Sequence, residues 1–284
     1  MKKMILRSIG LYLNSLALIA PRKTARLGFD LFCYPFRVPI NAKQKVFLNT
    51  AVQSSFAFNG LMIQTYRWGS GPKNILLLHG WQSHTYRWKK YIESLSKEEY
   101  SIYAFDAPGH GLSSGKFLSV PLYSEVIENF IGRIGTIETI ISHSIGSFSA
   151  LYTFYRNPEI PSNNLVTLAS AGEAQEFFDF YKKSLALSTK SAGLIANRFE
   201  ELFQKAPRDF SAPFFASSMK VRGLIIHDEA DDDTSVIHSL RIHAAWKNSR
   251  LITTKGLGHN LKSDEVVNEV IKFVNQPSLH QSAA

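Results

Sequence analysis

The strongest constraint in this 284-residue chain is a rhythm: short, mostly apolar runs separated by segments long enough for a helix. The runs lie at 75–78, 102–105, 137–141, 165–168, 223–226 and 250–253. They are too short for helices and too continuously apolar for strands with one wet face, so they predict strands buried on both sides. Segments 86–96, 123–134, 146–156, 236–246 and 264–274 fall between or after them and suit crossover helices. Strand, helix, strand in succession means a parallel sheet covered on both faces. Ahead of the first run, 53–58 and 62–68 flank Asn59-Gly60, a dipeptide that favours the left-handed conformations of a tight hairpin. The expectation is an α/β fold over 49–275, with a mostly parallel, doubly wound sheet that begins with an antiparallel hairpin.

The interval between Leu168 and Gly223 breaks the rhythm. A structureless loop of that length inside a compact domain is improbable, so a helical insertion is expected over 170–220. It carries Phe177, Phe178, Phe180, Tyr181, Phe199, Phe203, Phe210, Phe214 and Phe215. Plain packing is the first reading of these aromatics and substrate contact the second. Residues 1–48 form a helical extension: Leu6, Ile9, Leu13, Leu16, Ala17 and Ala20 recur at helical spacing, Pro21 interrupts, and 25–32 suggests a second helix. The basic 1–7 stretch followed by the apolar 9–20 stretch resembles a short signal peptide. Asn14, Ser15 and the absence of an A-x-A pattern argue against that. A helix packed on the domain is expected, with peripheral contact at a membrane surface as the alternative. The polar stretch 276–284 is expected to be a flexible tail.

Composition narrows the class. An apolar fraction of 45% supports a sizeable core and excludes a disordered chain. The single cysteine, Cys33, excludes an internal disulfide framework and fits a reducing, cytoplasmic setting. The formal charge is +9, but no long basic run or nucleic-acid motif accompanies it, so a diffusely basic surface without nucleic acid is expected.

In a parallel sheet, chemistry collects beyond the carboxyl ends of the strands. The 137–141 run leads into Ser142-His143-Ser144-Ile145-Gly146-Ser147 and then a helical stretch. This is a G-x-S-x-G pattern with serine at the first position. A sharp strand-to-helix turn projects such a serine, and bulky flanking residues would collide with adjacent backbone. Ser144 is therefore the candidate nucleophile. The 75–78 run ends in His79-Gly80-Trp81-Gln82, where the turning backbone can aim the Trp81 N–H at a developing oxyanion. The Ile145 N–H, directly after the nucleophile, supplies the second donor. His79 itself is expected to shape the turn. So are Asp106 and His110 in Asp106-Ala107-Pro108-Gly109-His110-Gly111, since an aspartate beside Pro and Gly usually fixes backbone.

The last two strands are followed by His227-Asp228-Glu229-Ala230-Asp231-Asp232-Asp233 and by Gly256-Leu257-Gly258-His259. His259 is the candidate general base, because neutral imidazole can take the serine proton and return it. A carboxylate must orient that imidazole, and the acidic loop offers several. The loop lacks the glycine and alternate spacing of an EF-hand, so no metal is expected.

Five segments in this order resemble the α/β-hydrolase superfamily, and the resemblance covers about residues 52–275: His79-Gly80, Asp106-x-Pro-Gly-His-Gly-x-Ser113, Ser142-x-Ser144-x-Gly146, the acidic loop, and Gly258-His259. The family's H-G-x-x-D pattern aligns with His227-Asp228-x-x-Asp231. The resemblance therefore implies Asp231 as the acid, with Asp232 or Asp233 next and Glu173 as a remote alternative. It also implies a lid at the 170–220 interval and no cofactor, and the aromatics of that interval suggest a small-molecule ester substrate with an apolar acyl or alcohol group. The departures are Ser142 for the first glycine and Ser147 for the second of a common Gly pair. A serine at 144 sets aside the haloalkane dehalogenase and epoxide hydrolase branches, which carry aspartate there.

The expectation is hydrolysis of a carboxylic ester, or of a thioester, by Ser144, His259 and Asp231. The rivals are a catalytically silent α/β-hydrolase fold used for ligand binding, and a membrane-surface protein acting through its N-terminal helix.

Overall fold

The computed structural model describes residues 2–276, so all of the expected tail except Gln276 lies outside the described residues. Among them, eight strands form one sheet: β1 (Val52–Phe58), β2 (Leu61–Trp68), β3 (Lys73–Leu78), β4 (Tyr100–Phe105), β5 (Ile137–His143), β6 (Ser162–Leu168), β7 (Arg222–Asp228) and β8 (Ser249–Thr254). The order across the sheet is β1-β2-β4-β3-β5-β6-β7-β8. β1 and β2 pair antiparallel through the predicted hairpin, with Asn59 and Gly60 both at positive φ. β2 pairs antiparallel with β4, and every later pairing is parallel.

The chain divides into two compact units. The larger one, from Pro35 to Gly172 and again from Ala212, holds the whole sheet. Its central strands carry almost fully buried side chains, as their apolar runs require. One face of the sheet, including Ile75, Leu77, Ile102, Ile141, Val166 and Leu224, packs with Val266, Val267, Val270 and Phe273. These last four lie on α11 (Asp264–Asn275), and burying such a stripe on a sheet face stabilises the fold. α3 (Ala42–Leu48), α4 (Lys89–Ser94), α5 (Val120–Ile134), α6 (Ile145–Arg156), α9 (Ala212–Ala216) and α10 (Val236–Ala245) belong to the same unit. The single helix expected over 86–96 is instead a 3-10 turn, Thr85–Trp88, followed by the short α4. The α3 helix was not anticipated; Asn41 and Gln44 form a capping box at its start.

The second unit joins the chain up to Tyr34 with Glu173–Ser211. It contains α1 (Lys2–Ile19), α2 (Pro21–Phe32), α7 (Ala174–Leu185) and α8 (Thr189–Phe203). α2 begins at Pro21 rather than near Ala25. Proline suits a first helical turn, whose N–H has no intrahelical partner, so the residue that ends one helix starts the next. Gly10 lets α1 approach α7 closely: a Cβ there would overlap the Leu185 carbonyl. Asn14, the polar break in the apolar run, donates to Ala186 O (3.0 Å) and accepts from Ser188 N (2.8 Å), which clamps the α7–α8 turn. Aromatics of the two segments interlock, with Phe29 against Phe199 and Phe203, and Phe32 against Phe178 and Tyr181. The helices of the N-terminal stretch and of the β6–β7 insertion thus share one core.

Candidate active site

Ser144 stands between β5 and α6 with φ 54° and ψ −124°. A residue with a Cβ holds such a conformation at a penalty of about 1–3 kcal/mol, so the surroundings must enforce it. They do so through backbone. Ser144 N–H donates to Leu168 O at 2.9 Å, and Ser144 O accepts from Ser147 and Phe148 at the start of α6. Small neighbours are obligatory. A Cβ on Gly146 would lie 2.6 Å from His79 O and 2.7 Å from Leu78 O, and one on Gly80 would lie 3.0 Å from Ser144 Cβ. Ser142 is fully buried where the common pattern has glycine, and its hydroxyl is absorbed by Val166 O on β6 at 2.8 Å.

Opposite Ser144, the loop after β8 presents His259. Ser144 Oγ lies 3.0 Å from His259 Nε2, and His259 Nδ1 lies 2.8 Å from Asp231 Oδ2. The chain thus brings Ser144, Asp231 and His259 together. Of the acids in the β7 loop, Asp231 is buried, while Asp232 and Asp233 are exposed. Glu173 occupies a different place, at the N-cap of α7 in a bridge with Ser211.

Asp231 is heavily committed to hydrogen bonding. Its Oδ1 accepts the N–H groups of Asp233 and Thr234, both at 2.9 Å, and its Oδ2 accepts the Thr234 hydroxyl at 3.0 Å. Burial alone would raise its pKa. Hydrogen bonds from His227, His259 and the Thr234 N–H outweigh that and hold the carboxyl far below the usual range, so it stays ionised.

His227 is the partner that the sequence reading left without a role. It is fully buried, with Nε2 3.2 Å from Asp231 Oδ2 and 2.8 Å from Thr234 O, and Nδ1 2.7 Å from Ser239 Oγ. Both neighbours of Nε2 are acceptors, which assigns the proton to Nε2; Nδ1 then accepts from Ser239. The only sequence signal was its place as the H of H-G-x-x-D.

Three further contacts hold the His259 loop. His143 Nε2–H donates to His259 O at 2.8 Å, and the two rings lie 4.9 Å apart. Burial, with Arg87 and His259 nearby, drives the His143 pKa well down, so the ring is neutral. Arg87 donates to Asn260 O at 3.2 Å. Asp228 accepts from Leu257 N and Thr254 Oγ1; these bonds and one from Ala230 N overcome burial and lower its pKa to about 2.

The turn after β3 places Trp81 next to Gly80 and therefore beside the serine elbow. Ile145 is the first residue of α6, where helical N–H groups lack intrahelical acceptors and the helix dipole is positive. His79, Asp106 and His110 knit the backbone around this turn. Ala107 N–H donates to His79 Nε2 at 2.9 Å, and His79 Nδ1–H donates to Gly80 O at 2.8 Å. Asp106 accepts from Thr85, Leu112 and Tyr66. His110 accepts from Gln82 N–H and donates to Pro108 O. Among the described residues, no group of three or more His, Cys, Asp or Glu side chains is arranged to hold a metal ion.

A mostly parallel eight-stranded sheet entered by an antiparallel hairpin, with its strained serine at the end of the fifth strand, defines an α/β hydrolase. Residues 71–213 match the family Hydrolase_4, described as serine aminopeptidase, S33, and the chain belongs to that family. It is 25% identical over 165 residues to the dihydrolipoyllysine-residue acetyltransferase component of the acetoin cleaving system of Cupriavidus necator (56% of this chain, 43% of that protein). It is 33% identical over 92 residues to the pimeloyl-(acyl-carrier protein) methyl ester esterase of Nitrosomonas europaea (32% and 34%). The matched stretches span less than half the length of either relative.

Solved structures share the fold at low identity. The esterase EaEST from Exiguobacterium antarcticum superposes with TM-score 0.61 at 18% identity, over 78% of this chain and 98% of that one. A thioesterase domain from the curacin biosynthetic pathway gives 0.59 at 15%, over 80% and 99%. A membrane phospholipase A gives 0.65 at 18%, over 97% and 98%.

Proposed function

We propose that this hydrolase cleaves a carboxylic ester, or a thioester, by acyl transfer through Ser144, with His259 as general base and Asp231 as the acid that orients it. The observation that carries the reading is the pair of hydrogen bonds joining the three side chains, 3.0 Å and 2.8 Å long, with the serine held in a strained turn.

In the proposed cycle, Ser144 Oγ bonds to the acyl carbon as its proton passes to His259 Nε2. The imidazolium is stabilised by Asp231, which accepts from Nδ1–H and remains ionised. The N–H groups of Trp81 and Ile145 hold the oxyanion; one donor of this kind is worth about 3 kcal/mol in the transition state. Collapse expels the alkoxide or thiolate, which takes the proton from Nε2. Water then attacks the acyl-enzyme, giving its proton to His259, and the acid is released with Ser144 restored. No cofactor enters the cycle.

The relatives whose names state a reaction include an acetyltransferase component, a methyl ester esterase, a thioesterase and a phospholipase A, and transfer or cleavage of an acyl group is common to those names. A lid role for the 170–220 segment and an apolar acyl or alcohol group on the substrate remain part of the proposal, although Phe178, Tyr181, Phe199 and Phe203 are taken up by packing against α2.

A fluorophosphonate probe should label the wild type and leave a folded Ser144→Ala variant unlabelled. A panel of model esters and thioesters of graded chain length then separates the two bond types. A folded wild type that neither labels nor turns over any member of the panel overturns the reading in favour of a silent, ligand-binding hydrolase fold.

A further inference from the structure

α1 is apolar on both sides. Its inner face, with Gly10, Leu13, Leu16 and Ala17, is buried in the helical unit. Its outer face carries Met4, Ile5, Leu11, Tyr12, Leu18 and Ile19, each 54–82% exposed. These six form two rows at seven-residue spacing, Met4-Leu11-Leu18 and Ile5-Tyr12-Ile19. At 100° per residue the rows bound an arc of about 140°, with only Ser8 and Ser15 between them. Large apolar side chains left exposed together on one face of a helix mark an interaction surface.

Charge decides what covers it. The sequence before Asp30 contains Lys2, Lys3, Arg7, Arg22, Lys23 and Arg26 and no acidic residue. Arg7, Arg22, Lys23 and Arg26 are exposed. Arg7 borders the Met4-Leu11-Leu18 row on the helical wheel, and Arg22 and Lys23 follow directly where α1 ends. A second copy docked on this stripe would set like charges against like, whereas an anionic lipid surface satisfies both the apolar rows and the cations. No helix among the described residues is long and apolar enough to cross a membrane. A helix lying in the interface has no such length requirement: the 18 residues of α1 would cover about 27 Å of surface.

We propose that the outer face of α1 docks the protein in the plane of an anionic bilayer, with the two apolar rows entering the acyl boundary and the flanking basic residues at the headgroups. The inference is independent of the chemistry at Ser144.

The full chain is floated with vesicles of phosphatidylcholine alone, or containing about 30% phosphatidylglycerol. Binding is expected on the anionic vesicles, about tenfold or more weaker on the neutral ones, and reduced by about 0.5 M salt. The Leu11→Ser, Leu18→Ser double variant, altered only at exposed positions, should bind about tenfold more weakly or worse. Replacing Arg7, Arg22 and Lys23 by glutamine should erase the anionic preference. Ser144→Ala should bind like the wild type, which separates this inference from the hydrolase reading. As a readout needing no loss of binding, Tyr12→Trp should gain fluorescence that brominated lipid quenches. Three results would overturn the proposal: no flotation with anionic vesicles at low salt, flotation indifferent to the apolar and basic variants, or a solution dimer that Leu11→Ser, Leu18→Ser dissociates without any vesicle binding.

Discussion

His227, near the end of β7, and His259, on the loop after β8, reach the same oxygen of Asp231, with His227 Nε2 3.2 Å and His259 Nδ1 2.8 Å from Oδ2. The result is a series of hydrogen bonds, fully buried at its His227 end and part-buried at His259, running from Ser239 through His227, Asp231 and His259 to Ser144. Buried networks of this type rigidify when every member is satisfied, and each member here has its partner.

His227 is thus expected to position Asp231 without touching substrate. A hydrogen bond to a charged group is worth about 1.5–3 kcal/mol, so His227→Phe should lower kcat on a model ester by about tenfold or more, with KM changed less than about threefold. His227→Gln, which keeps an N–H donor, should recover most of the rate. A variant series in which kcat and KM shift together, with no rescue by glutamine, would show that the residue serves folding only.

Thr234 contributes two bonds to the same carboxylate, one from its N–H and one from its hydroxyl. Thr234→Val keeps the shape and the N–H and removes the hydroxyl. Steady-state kinetics should show kcat/KM reduced by about three- to tenfold, a smaller loss than for His227→Phe because Oδ2 keeps its two imidazole partners.

Two glycine-to-alanine substitutions should move stability in opposite directions. At Gly146 the new methyl meets the carbonyl oxygens of His79 and Leu78, which are backbone atoms at the end of a central strand. Urea denaturation should show a loss of about 2 kcal/mol or more, accompanied by loss of activity. At Gly132, inside α5, nothing lies within 4 Å of the added Cβ, and the same measurement should show a gain of about 0.4–1 kcal/mol from reduced unfolded-state entropy.

Buried histidines should make the fold acid-sensitive. Burial, reinforced by their closeness to one another and partly opposed by Asp106, lowers His79 to about 3; burial lowers His110 to about 4. Above the ordinary histidine value of 6.5, both states carry neutral rings and nothing is lost. As pH falls below it, the unfolded chain binds protons that the folded one refuses, and stability drops by up to about 1.4 kcal/mol per pH unit for each ring. Urea midpoints should therefore decline between pH 6.5 and 4, and His110→Asn should flatten that decline. A midpoint unchanged over this range would contradict the assignment of both rings as buried and neutral.

What the sequence determined by itself were features set by neighbours along the chain. Alternation of apolar runs with helix-length segments marked the strands, Asn59-Gly60 marked the hairpin, and the small residues around Ser144 marked the elbow. These are local matters of period and turn chemistry, and they survive in any tertiary setting. The motif order also singled out Ser144 and His259 as candidates. Tertiary structure alone decided which neighbour each feature meets. It inserted β4 between β2 and β3, buried Asp231 against His259 while leaving Asp232 and Asp233 in water, and gave His227 its place behind the carboxylate. It also made the N-terminal helices and the β6–β7 insertion share a core, through contacts such as Asn14 with Ser188 that no local pattern announces. Long-range pairing depends on how loops close and faces pack, so it is written in the whole chain at once and not in any window of it.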